Sequence, residues 1–303
     1  NVATDYIEQI TDQFEDLEND RSRWESGMKF MLAMLMQERE LYKTALDSIN
    51  EALKISPEEY ADYYHCKAEI LLELDKPKDA MRSVNKCIEI EEKNPMEEKN
   101  PKNPSSFMLK ADVCHDLGKY KLAIDYDLKA IQMFKKQKII KDSRRETLAD
   151  AVYSVGHHYL HLKKYKESLK WLQKAEKQKP YDDTGQIAFD KADVLLNMKK
   201  YNEAGKAATK AVSLDAENGE YWLMLCYCGV MARKNSLDVL RALSNAHFLM
   251  PQPESERKRW IKEVKTITRY LKNADEDEIA KSAIKLKKKW QTLELVPEPS
   301  KKK

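Results

Sequence analysis

Glycine is scarce in this sequence, and its scarcity excludes several kinds of active site. Only seven glycines occur in 303 residues, which leaves little material for the Gly-rich loops that wrap a phosphate, and no GxSxG elbow is present. No pair of carboxylates stands apart from the general background of helix charge. We therefore expect a protein that is not an enzyme and that needs no cofactor.

Cysteine and long apolar runs are also sparse. The cysteines are odd in number and scattered through amphipathic patterns, which is typical of reduced thiols in the cytoplasm or nucleus: Cys66, Cys87, Cys114, Cys226 and Cys228. No apolar run approaches the eighteen residues of a membrane span, and the opening residues lack the layout of a signal peptide. The first residue is not Met, which suggests a fragment or a processed start.

Composition and charge favour an all-α fold with a balanced surface. Ala, Leu, Lys and Glu are abundant, whereas the alternation of β-branched residues typical of strands is rare. The 42% of hydrophobic residues is ample for a buried core. A net charge of +3, from 54 basic and 51 acidic residues, does not single out nucleic acid as the default partner, so nucleic acid stays open but is not favoured.

Small and apolar residues recur at helical spacing in the stretch 41–57, which ends at Ser56 and Pro57. The same arrangement returns along the chain at intervals of 35, 43, 45, 36 and 35 residues. One small or β-branched residue from each interval marks the period, and we call these six the packing positions: Ala45, Ala80, Ala123, Ser168, Ala204 and Val239. A small residue here lets a neighbouring helix approach closely, so the unit of the fold is a helix pair.

This period resembles that of the tetratricopeptide repeat family, over roughly residues 24–251. Gly156 and Tyr159 match the family's first helix, and a tyrosine opens the second helix of several repeats: Tyr42, Tyr120, Tyr165 and Tyr201. The family's first-helix tryptophan is replaced here by Tyr64, Phe107, Val152 and Ala188. The resemblance implies an all-α, right-handed solenoid of about six helix-turn-helix units, in which the first helices line a concave groove.

The ends and one insertion depart from the period. We predict an acidic capping helix at 1–21, a solenoid at 22–251, two capping helices at 252–293 and a mobile basic tail at 294–303. A three-proline segment at 91–104 predicts an insertion loop. A helix from Ser22 is expected to bury Trp24, Met28, Met31, Leu32 and Leu35 against the first helix, and a helix over 58–74 is expected to start at the Ser56–Pro57 cap.

The family's inward positions predict a partner-binding groove that is acidic in the middle and aromatic or Met-rich at its ends. Phe30, Met31 and Met34 come from the first repeat. The other groove residues are Asp62, His65, Glu69, Glu73, Asp112, His115, Asp116, Asp150, Tyr153, His157, His161, Phe189, Asp190, Asp193, Tyr221, Met224 and Leu225. Such a groove favours a Lys- or Arg-containing protein segment. The alternative is that these carboxylates are ordinary solvated helix residues.

One well-known ligand of the family is disfavoured. Family members that hold the acidic tail of large heat-shock chaperones use a clamp of Lys, Asn and Arg side chains, and the resemblance places that clamp on the first helices. The matching positions here are Phe30, Met34, Cys66, Ser105 and Leu109, so no element of the clamp is present.

Histidines are concentrated on the predicted inner face, at His65, His115, His157 and His161. His157 and His161 lie one helical turn apart, a spacing that can hold zinc, but the metalloprotease pattern requires Glu directly after the first histidine and this chain has His158. We therefore predict no metal site and interpret these residues as polar groups of the groove.

Two other functions stay open. The chain can be a constitutive subunit of a larger complex that binds through its convex face and terminal helices. Alternatively, a basic segment near the C-terminus can bind a polyanion such as nucleic acid, lipid or a tubulin-like surface: Arg257, Lys258, Arg259, Lys262, Lys265, Arg269, Lys285, Lys287, Lys288 and Lys289, with Lys301, Lys302 and Lys303 at the end. The oligomeric state is left open.

Overall fold

The computed structural model describes residues 21–56, 60–93, 103–136, 142–178, 185–232 and 236–249. Within these ranges all regular structure is helical, and no strand occurs, which confirms the predicted all-α class. Helix α1 occupies 21–38. The others are α2 Tyr42–Ile55, α3 Ala61–Glu73, α4 Pro77–Lys93, α5 Pro104–Asp116, α6 Tyr120–Lys136, α7 Asp142–His161, α8 Tyr165–Gln178, α9 Gln186–Asn197, α10 Tyr201–Leu214, α11 Gly219–Met231 and α12 Ser236–Phe248.

The helices fall into two compact units, which divide after Leu162. In the N-terminal unit α3 packs on α4 and α5 packs on α6, while α3 also contacts α5 and α5 contacts α7. In the C-terminal unit α9 packs on α10, α11 packs on α12, and α9 contacts α11. The first helices of successive repeats therefore form a layer of their own within each unit, as in a solenoid of helix pairs.

The packing positions predicted from the period are confirmed as core positions. Each of the six residues is at most 1% exposed. In the first repeat, Ala45, Ile49 and Ala52 of α2 lie in one cluster with Tyr63 and Ile70 of α3. A side chain the size of alanine lets two helix backbones approach closely, so these positions fix how the pairs pack. The tyrosines predicted to open second helices do so in α2, α6, α8 and α10.

In five helix pairs, the turn between the two helices has a left-handed residue five positions before the packing position. These residues have φ between 56° and 68°: Glu40, Asp75, Gly118, Lys163 and Lys199. The next residue donates back across the helix end, as in Lys76 N to Leu71 O at 2.8 Å and Lys119 N to Cys114 O at 2.7 Å. This pattern is a Schellman C-cap, which satisfies carbonyl groups that the helix end would leave unpaired. Only one of the five residues is glycine, so composition gave no signal for these turns.

The predicted start of α3 at the Ser56–Pro57 cap is wrong. Ser56 instead caps the C-terminus of α2, where its N–H donates to the Ala52 carbonyl at 3.0 Å. Tyr60 has extended backbone angles and precedes the first helical residue, Ala61. A serine can cap either end of a helix, and here the preceding helix continues up to it.

The insertion predicted over 91–104 is shorter at both ends. Helix α4 continues to Lys93, and the Oε1 atom of Glu91 accepts a hydrogen bond from Ser106 Oγ at 2.6 Å, which joins the end of α4 to α5. Helix α5 starts at Pro104, because the Asn103 side chain caps it by accepting from Ser105 N at 3.1 Å.

Helix α1 does not bury the apolar face predicted for it. The side chains of Trp24, Met28, Met31, Leu32 and Leu35 are exposed, whereas Ser26 and Ala33 are buried. The acidic helix expected to cover this face lies in 1–20, outside the described residues. The predicted capping helices at 252–293 and the tail at 294–303 also lie outside them. Among the described helices, none is long and apolar enough to cross a membrane.

Candidate functional site

A cleft of 530 Å³ opens between α1, the start of α2 and α3 in the N-terminal unit. We call it the first-helix cleft. It brings together residues that the sequence analysis placed in the groove from two different repeats, and adds polar residues from the end of α1. The lining residues are Phe30, Met34, Gln37, Glu38, Tyr42, Asp62, His65, Cys66, Glu69 and Glu73. Met31, also predicted there, is an exposed residue of α1 that does not line the cleft.

Glu69 is the carboxylate most firmly held in this cleft. Its Oε1 atom lies 3.3 Å from His65 Nε2, and its Oε2 atom accepts from Gln37 Nε2 at 3.5 Å. Burial by itself would raise the pKa of Glu69. The hydrogen bond and charge of His65, and the hydrogen bond from Gln37, outweigh burial, so that the pKa of Glu69 is lowered. The cleft therefore carries a fixed negative charge beside the apolar side chains of Phe30 and Met34.

Further carboxylates continue from α3 onto α5. We call Glu69, Glu73, Asp75, Asp112 and Asp116 the acidic strip. Partial burial and then the charges of Asp75 and Glu73 raise the pKa of Asp116. The side chain of Asp112 is exposed, but many protein atoms lie around its carboxyl group. This partial loss of solvent, followed by the charges of Asp127, Asp116 and Glu69, raises the pKa of Asp112.

The two members of the acidic strip on α5 have no cationic partner in the described part of the chain. Neither Asp112 nor Asp116 forms an ion pair with a Lys or Arg of the described ranges. Since the carboxylates raise one another's pKa, they lie close enough to repel. A cation placed among them would relieve that repulsion.

Three of the predicted groove histidines come together on α5 and α7. His157 Nε2 and His161 Nε2 are 3.1 Å apart, and the ring centroid of His115 lies 4.7 Å from that of His161. We call His115, His157 and His161 the histidine cluster. Tyr120 stacks on His161 at 4.9 Å, and Tyr153 stacks on His157 at 5.8 Å. His65, the fourth predicted histidine, belongs to the first-helix cleft instead.

Two residues behind this cluster were missed by the sequence analysis. His158 Nδ1 lies 3.0 Å from His115 Nδ1, and His158 Nε2 lies 3.1 Å from Asp127 Oδ2. A signal for Asp127 existed: it stands four residues after packing position Ala123, where the first repeat has the buried Ile49. An acidic residue in a core register is rarely accidental, because burying a carboxylate is costly.

The groove residues predicted in the C-terminal unit form packing contacts, which corrects two of them. Asp190 and Tyr221 are each 2% exposed, so they cannot line an open groove. Both bind Gln186: its Nε2 donates to Asp190 Oδ1 at 3.2 Å, and the Tyr221 hydroxyl donates to its Oε1 at 3.1 Å. Phe189 packs on the Tyr221 ring at 5.2 Å. The reason is that α9 and α11 contact each other directly, which covers the positions of Asp190 and Tyr221.

Four predicted groove residues remain: Asp150, Asp193, Met224 and Leu225. Met224 and Leu225 are half-buried and pack against the core cluster that contains Ala192. Asp193 is half-buried, and its Oδ1 atom accepts from Asn197 Nδ2 at 2.9 Å within the same helix. Asp150 is half-buried on α7, two turns before His157. None of the four lines the first-helix cleft, so the predicted groove residues divide between that cleft, the acidic strip, the histidine cluster and helix packing.

The five cysteines are free thiols, as the sequence analysis predicted, and all five are buried. Burial raises the pKa of Cys66, Cys87 and Cys228 to about 12 and raises that of Cys114 and Cys226 as well. A thiol that stays protonated is a poor nucleophile and a poor metal ligand. The cysteines therefore act as small core residues.

Comparison with known proteins supports the repeat assignment. The sequence profile described as tetratricopeptide repeat matches residues 61–94 and 185–218, which span α3 with α4 and α9 with α10. No curated protein sequence matches the chain significantly.

Three solved structures of similar fold are distant from this chain in sequence. PilF of Pseudomonas aeruginosa is 15% identical, with a TM-score of 0.59 over 80% of this chain and 99% of PilF. PilW, a type IV pilus biogenesis factor, is 17% identical, with a TM-score of 0.62 over 78% and 98%. A chain of the APC/C hetero-tetramer Cut9–Hcn1 is 10% identical, with a TM-score of 0.63 over 85% and 44%.

The two profile matches identify α3 with α4, and α9 with α10, as tetratricopeptide repeats. Together with the six buried packing positions and the paired helices, they show that the fold is that of a tetratricopeptide repeat solenoid.

Proposed function

We propose that this protein is a non-catalytic interaction scaffold that holds a basic segment of a partner protein on the first helices of its N-terminal unit. The observation that carries the proposal is the composition of the first-helix cleft. Phe30 and Met34 supply an apolar surface, and Asp62, Glu69 and Glu73 supply carboxylates beside it. A partner segment with an apolar side chain next to Lys or Arg satisfies both surfaces at once.

The acidic strip extends this match beyond the cleft. Glu69 is ionised, and its neighbours Asp112 and Asp116 gain no Lys or Arg partner from the described part of the chain. A Lys or Arg of the partner would relieve carboxylate repulsion when it binds, whereas an acidic segment would add to it. Tyr42, at the edge of the cleft, offers a ring for a cation–π contact.

Selection from a random peptide display library tests this charge preference, because every peptide charge is offered to the protein at once. Enriched peptides are expected to carry Lys or Arg near an apolar residue, and their affinity should fall as salt is raised. In the Glu69→Lys/Glu73→Lys variant, affinity for these peptides should fall at least about tenfold, or 1.4 kcal/mol.

The matched control is Asp47→Lys, which reverses an exposed carboxylate on α2, outside the cleft. This variant should bind the selected peptides as the wild type does. Enrichment of acidic peptides, or equal losses in the control and the cleft variant, would contradict the proposal.

A second candidate, a constitutive subunit of a larger complex, is favoured by the apolar face of α1. Trp24 is 70% exposed and Met31 is 58% exposed, and Met28 and Leu35 extend the same surface. Exposed apolar patches of this kind mark protein interfaces. Light scattering after size exclusion distinguishes the two: a groove adaptor is monomeric alone, whereas a subunit without its partner self-associates, and Trp24→Lys/Met31→Lys should restore the monomer.

The five buried free thiols also suit a cytoplasmic or nuclear protein, and we propose that compartment. The polyanion-binding alternative depends on residues 254–303, which lie outside the described ranges, and it remains a prediction of the sequence.

A further inference from the structure

The histidine cluster places ring nitrogens from two helices around one point. His157 and His161 are one turn apart on α7, and their Nε2 atoms are 3.1 Å from each other. His115 reaches the same point from α5. One ring nitrogen from each of the three lies within 4.8 Å of the other two. Imidazole nitrogens that converge in this way form a ligand set, because each can direct a lone pair to a shared cation.

The separations are close to those that a tetrahedral ion requires. A Zn–N bond of about 2.0–2.1 Å places two ligand nitrogens roughly 3.4 Å apart. The Nε2 atoms of His157 and His161, 3.1 Å apart, are within about 0.3 Å of this value. The ligand nitrogens of the cluster, one from each ring, all lie within 4.8 Å of one another, so the longest separation must shorten by at most about 1.4 Å, which rotation of an imidazole ring achieves. His161 is exposed and the other two rings are half-buried, so such a rotation is sterically open.

The buried residues behind the cluster supply the support that a metal ligand needs. His115 Nδ1 lies 3.0 Å from His158 Nδ1, and on its other side His158 faces Asp127 at 3.1 Å. If His115 donates its Nδ1–H to His158, its Nε2 atom carries the lone pair for a metal ion. Metal-binding histidines typically have such an outer partner, which fixes their tautomer and orientation.

This arrangement also explains a costly feature of the core. Atoms of Asp127 and His158 are buried without an aligned hydrogen bond. Such groups reduce stability, so their presence in a core requires an explanation. Orienting His115 as a ligand is a purpose that accounts for both residues.

We propose that His115, His157 and His161 bind a single zinc ion, with His158 and Asp127 as positioning residues. Three neutral imidazoles suit Zn²⁺, and the three-histidine set leaves a fourth coordination position for water or a side chain of a partner. The predicted absence of a metal site relied on the missing Glu after His157, whereas the third ligand comes from a helix two elements earlier. This inference does not depend on the charge of the partner.

Zinc binding is measured by competition with a chromophoric chelator, on the full chain without an affinity tag. One Zn²⁺ per chain is expected for the wild type. His161→Gln, at an exposed position that leaves the core untouched, should abolish this binding, and His115→Gln should do the same. Co²⁺ bound to the wild type should show the visible absorption of a tetrahedral ion, and His161→Gln should lack it.

Two further variants separate this site from adventitious histidine binding. His65→Gln changes a histidine outside the cluster and should bind Zn²⁺ as the wild type does. His158→Gln should weaken binding about 10–100-fold, the range typical of an outer partner, while circular dichroism confirms its fold. The proposal is overturned if the wild type binds no stoichiometric Zn²⁺, if His161→Gln binds as well as the wild type, or if His65→Gln loses binding equally.

Discussion

The Nε2 atom of His158 lies 3.1 Å from Oδ2 of Asp127, with only 3% and 1% of the two side chains exposed. Burial raises the pKa of Asp127 to about 8, and burial, followed by the charge of His157, lowers the pKa of His158 to about 4. Near pH 7 the pair is therefore a neutral carboxylic acid beside a neutral imidazole. A neutral pair avoids most of the desolvation cost of two buried charges.

Asp127→Asn should consequently be well tolerated, because an amide has the size and neutrality of the protonated acid. We expect its free energy of unfolding to change by less than about 1 kcal/mol, whereas Asp127→Ala should lose about 1–3 kcal/mol by leaving a cavity beside the buried Nε2 atom of His158. Urea unfolding at pH 7 measures both. Equal losses in the two variants would mean that the carboxylate is ionised in the native protein.

The packing positions give a second prediction, for Ala45→Leu. Ala45 is fully buried where α2 meets α3, so three added carbon atoms must displace neighbouring helices. The free energy of unfolding should fall by about 1–3 kcal/mol. Lys43→Ala, on the exposed side of the same helix, is the control and should stay within about 0.5 kcal/mol of the wild type. If Ala45→Leu left the free energy of unfolding unchanged, the helix pair would not be closely packed there.

The left-handed turn residues give a third prediction: substitutions at two equivalent turns should change stability in opposite directions. Lys199 has a φ of 60° and Gly118 a φ of 68°. Lys199→Gly should remove the left-handed penalty and raise stability by up to about 1 kcal/mol, and Gly118→Ala should lower it by about 1 kcal/mol. No other atom lies within 4 Å of the added Cβ at Gly118, so the loss would come from the backbone alone. Thermal unfolding of both variants measures the two changes in stability. A loss of stability in Lys199→Gly would contradict the left-handed conformation of this residue.

The periodic part of the fold was predictable because it rests on local spacing. The intervals between the six packing positions locate the helix pairs of the described ranges, since a small or β-branched buried residue is needed wherever two helices approach closely. The helix ends were less predictable. Ser56 could cap either helix, and four of the five left-handed turn residues are charged rather than glycine.

The candidate site was only partly predictable, because its residues meet across repeats. The cleft residues Asp62, His65 and Glu69 follow from the family's inward positions. The approach of His115 to His157 depends on how α5 packs against α7 across 42 residues of sequence. Burial of Asp190 and Tyr221 likewise depends on how closely α9 approaches α11, which helical periodicity within one element does not specify.

The most direct test of the central proposal is to locate the bound partner segment by photo-crosslinking. Benzoylphenylalanine replaces Met34 in the first-helix cleft in one variant and Leu122 on α6 in another. The two native side chains are matched at 45% and 46% exposure. A Lys/Arg-containing peptide from the display selection should crosslink to the probe at position 34 and not to the probe at position 122. Crosslinking at position 122 with equal or greater yield would contradict binding on the first helices.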